Sequence, residues 1–332
     1  MICFFNQPDH FADETLDALW HAYPDFYFPA PAGVHATAVR QYESSHCVSI
    51  ITGGGSGHMP LFVGYVGQGL CAGAAIGDVF SSPSAQSIAW VVQHVPHQRG
   101  VVFILGNYVG DIINFQMAAR LAEEQGIDTR MVVVSDDLAT ASRQEWTSRR
   151  CIGGIAFVYK TAGAASKRGM CLDDIVKIAH KTNQRMASIG VAFSSCQLPN
   201  VDTPVFSIGS NEMEIGMGIH GEQGVRRVKM MRSKEIAEMM VDKISTDLSL
   251  QKGTRVCVLV NGLGATLMEE LLILFRDVQK ALENRCITIY RKYIGNYATA
   301  LDTKGASVSI LEADDEIISL LDEPVYSPLL RF

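Results

Sequence analysis

Three things are scarce in this chain, and each scarcity removes a class of function. Positive charge is outnumbered, with 28 lysines and arginines against 35 aspartates and glutamates, a formal net charge of -7. The cations are scattered rather than clustered, so no basic stripe is offered to nucleic acid. Long apolar runs are missing too. None reaches membrane-spanning length, and the opening Met-Ile-Cys-Phe-Phe, followed at once by Asp9 and Asp13, is too short for a signal-peptide core. Closely paired cysteines are the third absence. The eight cysteines, at 3, 47, 71, 151, 171, 196, 257 and 286, form no C-x-x-C pair and mostly sit in apolar runs. They read as reduced core residues of a cytoplasmic protein, not as a disulfide framework or a zinc site. The nine histidines are dispersed, and His94-Val-Pro-His97 reads as a solvent-exposed polar loop rather than a metal-ligand pair.

What is present is a chain of 332 residues, 48% hydrophobic, long enough to bury more than one core. Short β-branched runs alternate with longer amphipathic patterns, which predicts an α/β fold: two α/β domains, each on a mixed β-sheet flanked by helices. Strands are expected at 47–51, 101–105, 131–134, 205–207, 255–260, 287–290 and 307–311. Helices are expected at 113–124, 172–182, 233–245 and 267–282. Ser, Gly and Pro concentrate around 185–199 after a helix, which places the domain boundary there, giving domains of 1–186 and 187–332. No internal repeat or low-complexity tract stands out.

The stretch 216–224, Gly-Met-Gly-Ile-His-Gly-Glu-Gln-Gly, presents one imidazole, His220, with almost no side-chain bulk around it. A lone His-Gly pair reads first as a tight glycine turn. An exposed neutral imidazole, however, can also attack a carbonyl carbon, and with a small ketone the product is a hemiaminal. Far upstream, Thr52-Gly-Gly-Gly-Ser-Gly-His58-Met-Pro60 follows an apolar strand-like run. Between the two lies Gly106-Asn-Tyr-Val-Gly-Asp111, whose aspartate falls at a strand-to-helix junction, as Asp136-Asp137 also follow a strand; catalytic groups of open α/β sheets collect at such strand ends. Taken alone, Asp111 reads equally as a helix N-cap before Ile112, and His58 as a packed turn residue.

These motifs, with Gly64-Tyr-Val-Gly67, Ser81-Ser-Pro83, Asn211-Glu-Met-Glu-Ile-Gly216 and Val260-Asn-Gly-Leu-Gly-Ala-Thr266, resemble in matching order the substrate-binding subunit of the dihydroxyacetone kinases, from about residue 10 to the C-terminus. The resemblance implies a catalytic set of His220 as covalent anchor and His58 and Asp111 as proton-handling groups. It also implies a substrate-contacting turn at Gly55, Ser56 and Gly57, with Gly106 beside it. It further implies a cytoplasmic homodimer acting on a small ketose.

No phosphoryl-donor site is legible. The glycines of 53–57 lack the Gly-Lys-Ser/Thr ending of a P-loop, and Gly262-Leu-Gly264 lacks the third glycine of a dinucleotide fingerprint. No cofactor is therefore expected on this chain. In the family resembled, ADP or ATP is held through magnesium by a separate nucleotide-binding domain or subunit, recharged in bacteria by a phosphotransferase-system phosphocarrier. With nothing appended after Phe332, the chain is expected to act as a stand-alone subunit. Three positions depart from the family pattern. Gly106 stands where active members carry a lysine, Met59 replaces a glutamate, and Gln223 replaces a proline. The first keeps a second reading open, a catalytically inactive ketone-sensing coactivator that pairs with a transcriptional regulator.

Overall fold

The computed structural model describes residues 4–40, 47–330 and 332; Cys3 lies outside the described residues. The chain divides into two compact units, and each is woven from separated stretches. The first comprises Met1–Val134, Phe157–Lys181 and Ser319–Phe332, and the second Ser135–Ala156 and Thr182–Ile318. A single linear cut after residue 186 does not reproduce this division.

In chain order the first elements are α1 (Phe11–Ala22), β1 (Tyr27–Pro29), β2 (Ala36–Val39), β3 (Ser49–Ser56), β4 (Gly73–Val79), α2 (Ala85–His94), β5 (Val101–Gly106), α3 (Val109–Glu123) and β6 (Thr129–Val134). The strands form a six-stranded sheet of order β1-β2-β4-β3-β5-β6. β4, β3, β5 and β6 run parallel, whereas the β1–β2 and β2–β4 pairs are antiparallel, so the sheet is mixed. β5 is buried along its whole length, which explains why Val101–Gly106 reads as a continuous apolar run rather than an alternation. Helices α2 and α3 close a core around Ile51, Ile88, Val91, Phe103, Leu105 and Phe115. Each such fully buried aliphatic or aromatic side chain stabilises the unit by about 1.5–3 kcal/mol.

The remaining elements are α4 (Ile155–Lys167), α5 (Leu172–Gln184), β7 (Met186–Ala192), β8 (Glu212–Ile215), β9 (Arg226–Lys229), α6 (Ser233–Asp247), β10 (Arg255–Gly262), α7 (Met268–Glu283), β11 (Thr288–Gly295), β12 (Gly305–Glu312) and α8 (Asp315–Leu321). The second sheet has order β11-β10-β12-β7-β8-β9, with only the β10–β11 pair parallel. It is again mixed, with α6 and α7 packed over Val256, Val258, Val260, Val308 and Ile310.

Two local expectations are overturned. Residues 205–207 form no strand, because Val205 is 49% exposed and its N–H is given to the carbonyl of Cys196 in a loop. A short β-branched run gains nothing from extension without a surface to bury. The supposed boundary at 185–199 contains β7, a fully buried inner strand. Its Gly190 is there because the carbonyl oxygen of Met217 lies 2.6 Å from where a Cβ would stand. A packing glycine was read as a linker glycine.

None of the seven described cysteines is in a disulfide, and five are buried, Cys171 and Cys286 being exposed. Among the described residues no helix is long and apolar enough to cross a membrane.

Candidate active site

In the first unit the site residues collect at the carboxyl ends of three adjacent parallel strands, where open α/β sheets place their ligands. His58 follows β3, Asp111 follows β5, and the segment Phe80–Pro83 follows β4. Glycines shape this end of the sheet. A Cβ on Gly54 would overlap the Phe62 ring, and one on Gly55 would lie 2.9 Å from Phe80 Cα and 2.7 Å from the Ser81 nitrogen. Their absence lets both phenylalanines descend onto β3. There they frame His58, which is 1% exposed, stacked on Phe80 with ring centroids 5.0 Å apart and edge-on to Phe62 at 6.0 Å. Phe62 and Phe80 both have positive φ, 65° and 57°, a region that non-glycine residues enter at a cost. Backbone strain of this kind clusters where a fold over-determines a functional position. Gly57 has φ of 96°, and the Ser56 hydroxyl donates to the Gly77 carbonyl at 2.8 Å. Gly106 is the buried last residue of β5, paired with Val134 of β6.

Asp111 is not an N-cap. The cap position of α3 is Tyr108, and Asp111 sits in the first turn, 4% exposed. It is bonded to the Ser82 hydroxyl, and Gly110 is what admits Ser82, since a Cβ there would lie 2.5 Å from Ser82 Oγ. One turn on, Asn114 donates to the Pro83 carbonyl at 2.8 Å, so α3 grips the segment twice. Asp111 Oδ1 is buried and accepts no hydrogen bond among the described residues. Burial raises this carboxyl from 3.8 to about 6 against the opposing bond from Ser82. A carboxylate titrating near neutrality with one open acceptor oxygen can remove a proton from a hydroxyl. His58 and Asp111 thus meet through the Phe80–Ser82 segment, whose Ser81-Ser-Pro motif was visible in sequence without its role.

In the second unit His220 lies on the connection between β8 and β9. It is half-buried, not the exposed surface residue the glycines suggested. Here the missing side chains admit protein rather than solvent. A Cβ at Gly218 would overlap Glu222 Oε1 and lie 2.9 Å from Arg150 Cζ, and Gly216 and Gly221 hold φ of 76° and 71°. One arginine organises the loop. Arg150 donates through Nε to Asp137 Oδ2 at 2.6 Å, through Nη1 to Glu222 Oε1 at 2.8 Å, and through Nη2 to the Gly216 carbonyl. Glu222 Oε2 in turn accepts the backbone N–H of His220 at 2.8 Å. Asp137 is fully buried; burial raises its carboxyl to about 6 against the pull of Arg150, which leaves it ionised at neutral pH. Removing one member of such a buried pair costs about 3–5 kcal/mol. Burial first, and then the Arg150 charge, lower the His220 imidazole from 6.5 to about 4. At neutral pH the ring is therefore uncharged and keeps a nucleophilic lone pair.

Sequence reasoning missed Arg150, Glu222 and Ser82 as parts of these arrangements. The adjacent Arg149-Arg150 pair was a faint signal, but nothing in its spacing points to partners 66 and 72 residues away. Gln223, at the position of the family's proline, reaches Glu214 Oε1 at 3.4 Å. Asp136, adjacent to Asp137, is structural: fully buried, it accepts the N–H groups of Ile152 and Gly154, each at 2.8 Å. His94 is stacked on Trp90 and bonded to its carbonyl. No group of three or more His, Cys, Asp or Glu among the described residues could hold a metal ion.

The architecture and the site motifs define a class. A Dak1 domain model matches residues 20–329, and the chain belongs to that family, which contains the dihydroxyacetone kinase substrate-binding subunits. It is 36% identical over 321 residues to the dihydroxyacetone-binding subunit DhaK of the PTS-dependent dihydroxyacetone kinase of Lactococcus lactis, covering 96% of each chain. It is 38% identical over 336 residues to L-erythrulose 1-kinase of Mycolicibacterium smegmatis, covering 100% of this chain and 58% of that one. The chain therefore spans little more than half the length of that relative. The solved structure of the dihydroxyacetone kinase operon co-activator Dha-DhaQ superposes with a TM-score of 0.88 at 30% identity, covering 94% of this chain and 96% of that one.

Proposed function

We propose that this chain is the ketose-binding part of a dihydroxyacetone-type kinase. The observation that carries the reading is Asp111, a buried carboxyl held near neutrality at about 6 with one oxygen bonded to Ser82 and the other open. A ketone sensor needs no such group, whereas phosphorylation of a hydroxyl needs a base. In this reading a lone pair of the neutral His220 ring attacks the ketose carbonyl carbon. A C–N bond forms, the carbonyl oxygen takes up a proton, and the imidazolium gives one up, leaving a neutral hemiaminal. Gly55, Ser56, Gly57 and Gly106 line the substrate. Asp111, with His58 as the second proton-handling group, accepts the proton of the terminal hydroxyl as its oxygen attacks phosphorus.

The donor is ATP, held with magnesium on a nucleotide-binding subunit or domain; transfer leaves ADP there, which a phosphotransferase-system phosphocarrier recharges to ATP in the phosphoenolpyruvate-dependent arrangement. The reading includes a cytoplasmic homodimer, with dihydroxyacetone or a four-carbon ketose such as erythrulose as substrate. The relatives named for dihydroxyacetone and for erythrulose support both chain lengths. A second reading, a ketone-sensing coactivator, is favoured by Gly106 in place of the family lysine and by the likeness to Dha-DhaQ.

Reconstitution tests the proposal. The chain, a nucleotide-bearing partner and magnesium are mixed with dihydroxyacetone or erythrulose, and ketose phosphate is measured alongside the mass of the protein–ketone adduct. Product should form with one ketose, and His220→Ala should abolish ketone retention. An adduct without product from either ketose supports the sensor. Tight, unchanged ketone binding by His220→Ala refutes the covalent anchor, and stoichiometric ATP binding to the chain alone refutes an external donor.

A further inference from the structure

The connection that carries His220 has four glycines in nine residues, 216–224, and a segment of that composition has much conformational entropy to lose on ordering. A covalent nucleophile must nevertheless be held in one orientation. Backbone pairing to the neighbouring strand holds its start, where the Gly216 N–H donates to the Gly190 carbonyl at 2.7 Å. Apart from the Gln223 amide, which reaches Glu214 Oε1 at 3.4 Å, the side-chain bonds described for the rest of the loop converge on a single cation. The guanidinium of Arg150 takes the Gly216 carbonyl at the loop's entry and Glu222 near its exit, and Glu222 takes the N–H of His220 between them. Arg150 is itself braced from behind by the fully buried Asp137, whose N–H donates to the Arg150 carbonyl at 3.1 Å and whose carboxylate accepts Nε.

We propose that Arg150 is the positioning residue of the His220 loop: its guanidinium clips the two ends of the loop together and so fixes the backbone that carries the imidazole. The inference rests on the reading of His220 as the ketone anchor, and it adds a part to it. An arginine suits this place because its Nε, Nη1 and Nη2 each donate to a different acceptor at once. Lysine would supply the charge but not the simultaneous bonds. The missing side chain at Gly218 belongs to the same device, since a Cβ there would push Glu222 and the guanidinium apart. The charged groups around the ring are Arg150 and Glu222, with Asp137 behind Arg150. Burial is the main cause of the imidazole's lowered basicity, and the Arg150 charge adds to it.

Because Arg150→Gln alone strands a buried Asp137 carboxylate, the main test is the double variant Arg150→Gln/Asp137→Asn, which removes the pair together. Three quantities are read: the pH titration of the His220 ring by NMR, amide hydrogen exchange over 216–224, and trapped ketone adduct by mass spectrometry. In the double variant the ring should titrate higher than in the wild type, loop exchange should speed by about tenfold or more, and ketone retention should fall by about tenfold or more. Arg150→Lys should restore the ring titration but not the loop protection, a split that a merely structural role would not produce. A folded double variant with unchanged titration, exchange and retention overturns the proposal. If the wild-type chain forms no adduct, the anchor reading fails while the titration and exchange still decide the role of Arg150.

Discussion

Replacing Asp111 by Asn separates the group's chemical use from its energetic cost. Folding places this carboxyl at 4% exposure and raises it from 3.8 to about 6, chiefly by burial. Between those values the folded state holds a proton that the unfolded chain has released. The carboxyl therefore favours folding at low pH, and that contribution is lost as pH rises through about 6. The full swing is about 3 kcal/mol, of which about 2 kcal/mol falls between pH 4.5 and 8. Asparagine has its own costs, a weaker interaction with the start of α3 and an amide N–H₂ placed where Oδ1 had no partner, but these do not depend on pH. The readout is therefore the difference in unfolding free energy between wild type and Asp111→Asn, measured in urea from pH 4.5 to 8. It should move by about 2 kcal/mol in favour of the variant as pH rises. In the reconstituted reaction the same variant should retain ketone while phosphoryl transfer falls by about a hundred- to ten-thousand-fold. A stability difference that stays constant across this pH range, or moves the other way, would refute the assignment of a buried, proton-holding Asp111.

Two further outcomes follow from the geometry. His220 at about 4 is about 97% neutral at pH 5.5, where a histidine at its ordinary 6.5 would be about 9% neutral. Ketone adduct trapped at pH 5.5 should thus nearly equal that at pH 8 and decline only toward pH 4; a tenfold fall by pH 5.5 would show an unshifted ring. Gly264 has φ of 124°, and a Cβ there would overlap the carbonyl oxygen of Leu301, whereas Gly126, at φ of 76° just past α3, has nothing within 4 Å. Gly264→Ala should cost about 3 kcal/mol or more and Gly126→Ala about 1 kcal/mol by thermal unfolding; equal losses would contradict the close packing at Gly264.

Local pattern carried the fold class a long way. The apolar run at 101–105, the amphipathic stretch at 233–245 and the β-branched run at 255–260 mark β5, α6 and β10, because one buried strand or one helix face imprints its period on neighbouring residues. Strands built from small residues escaped, as in Gly73–Val79 and Met186–Ala192, where glycine and alanine serve close approach and resemble loop composition. The same ambiguity affects the site: the space the glycines leave around His220 is filled by Glu222 and Arg150, and the turn at Gly55 packs against the Phe80–Ser81 backbone.

The sequence by itself determined which chemistry is available: His58, Asp111 and His220 in glycine-rich motifs, no P-loop lysine, and an ordered set of motifs specific enough to indicate the family. The tertiary structure decided the state of those groups. Asp111 is raised to about 6 by burial, and His220 is lowered to about 4 by burial and by a guanidinium 70 residues away along the chain. Burial and long-range pairing arise from how strands order in a sheet, and no residue's immediate neighbours in sequence encode them.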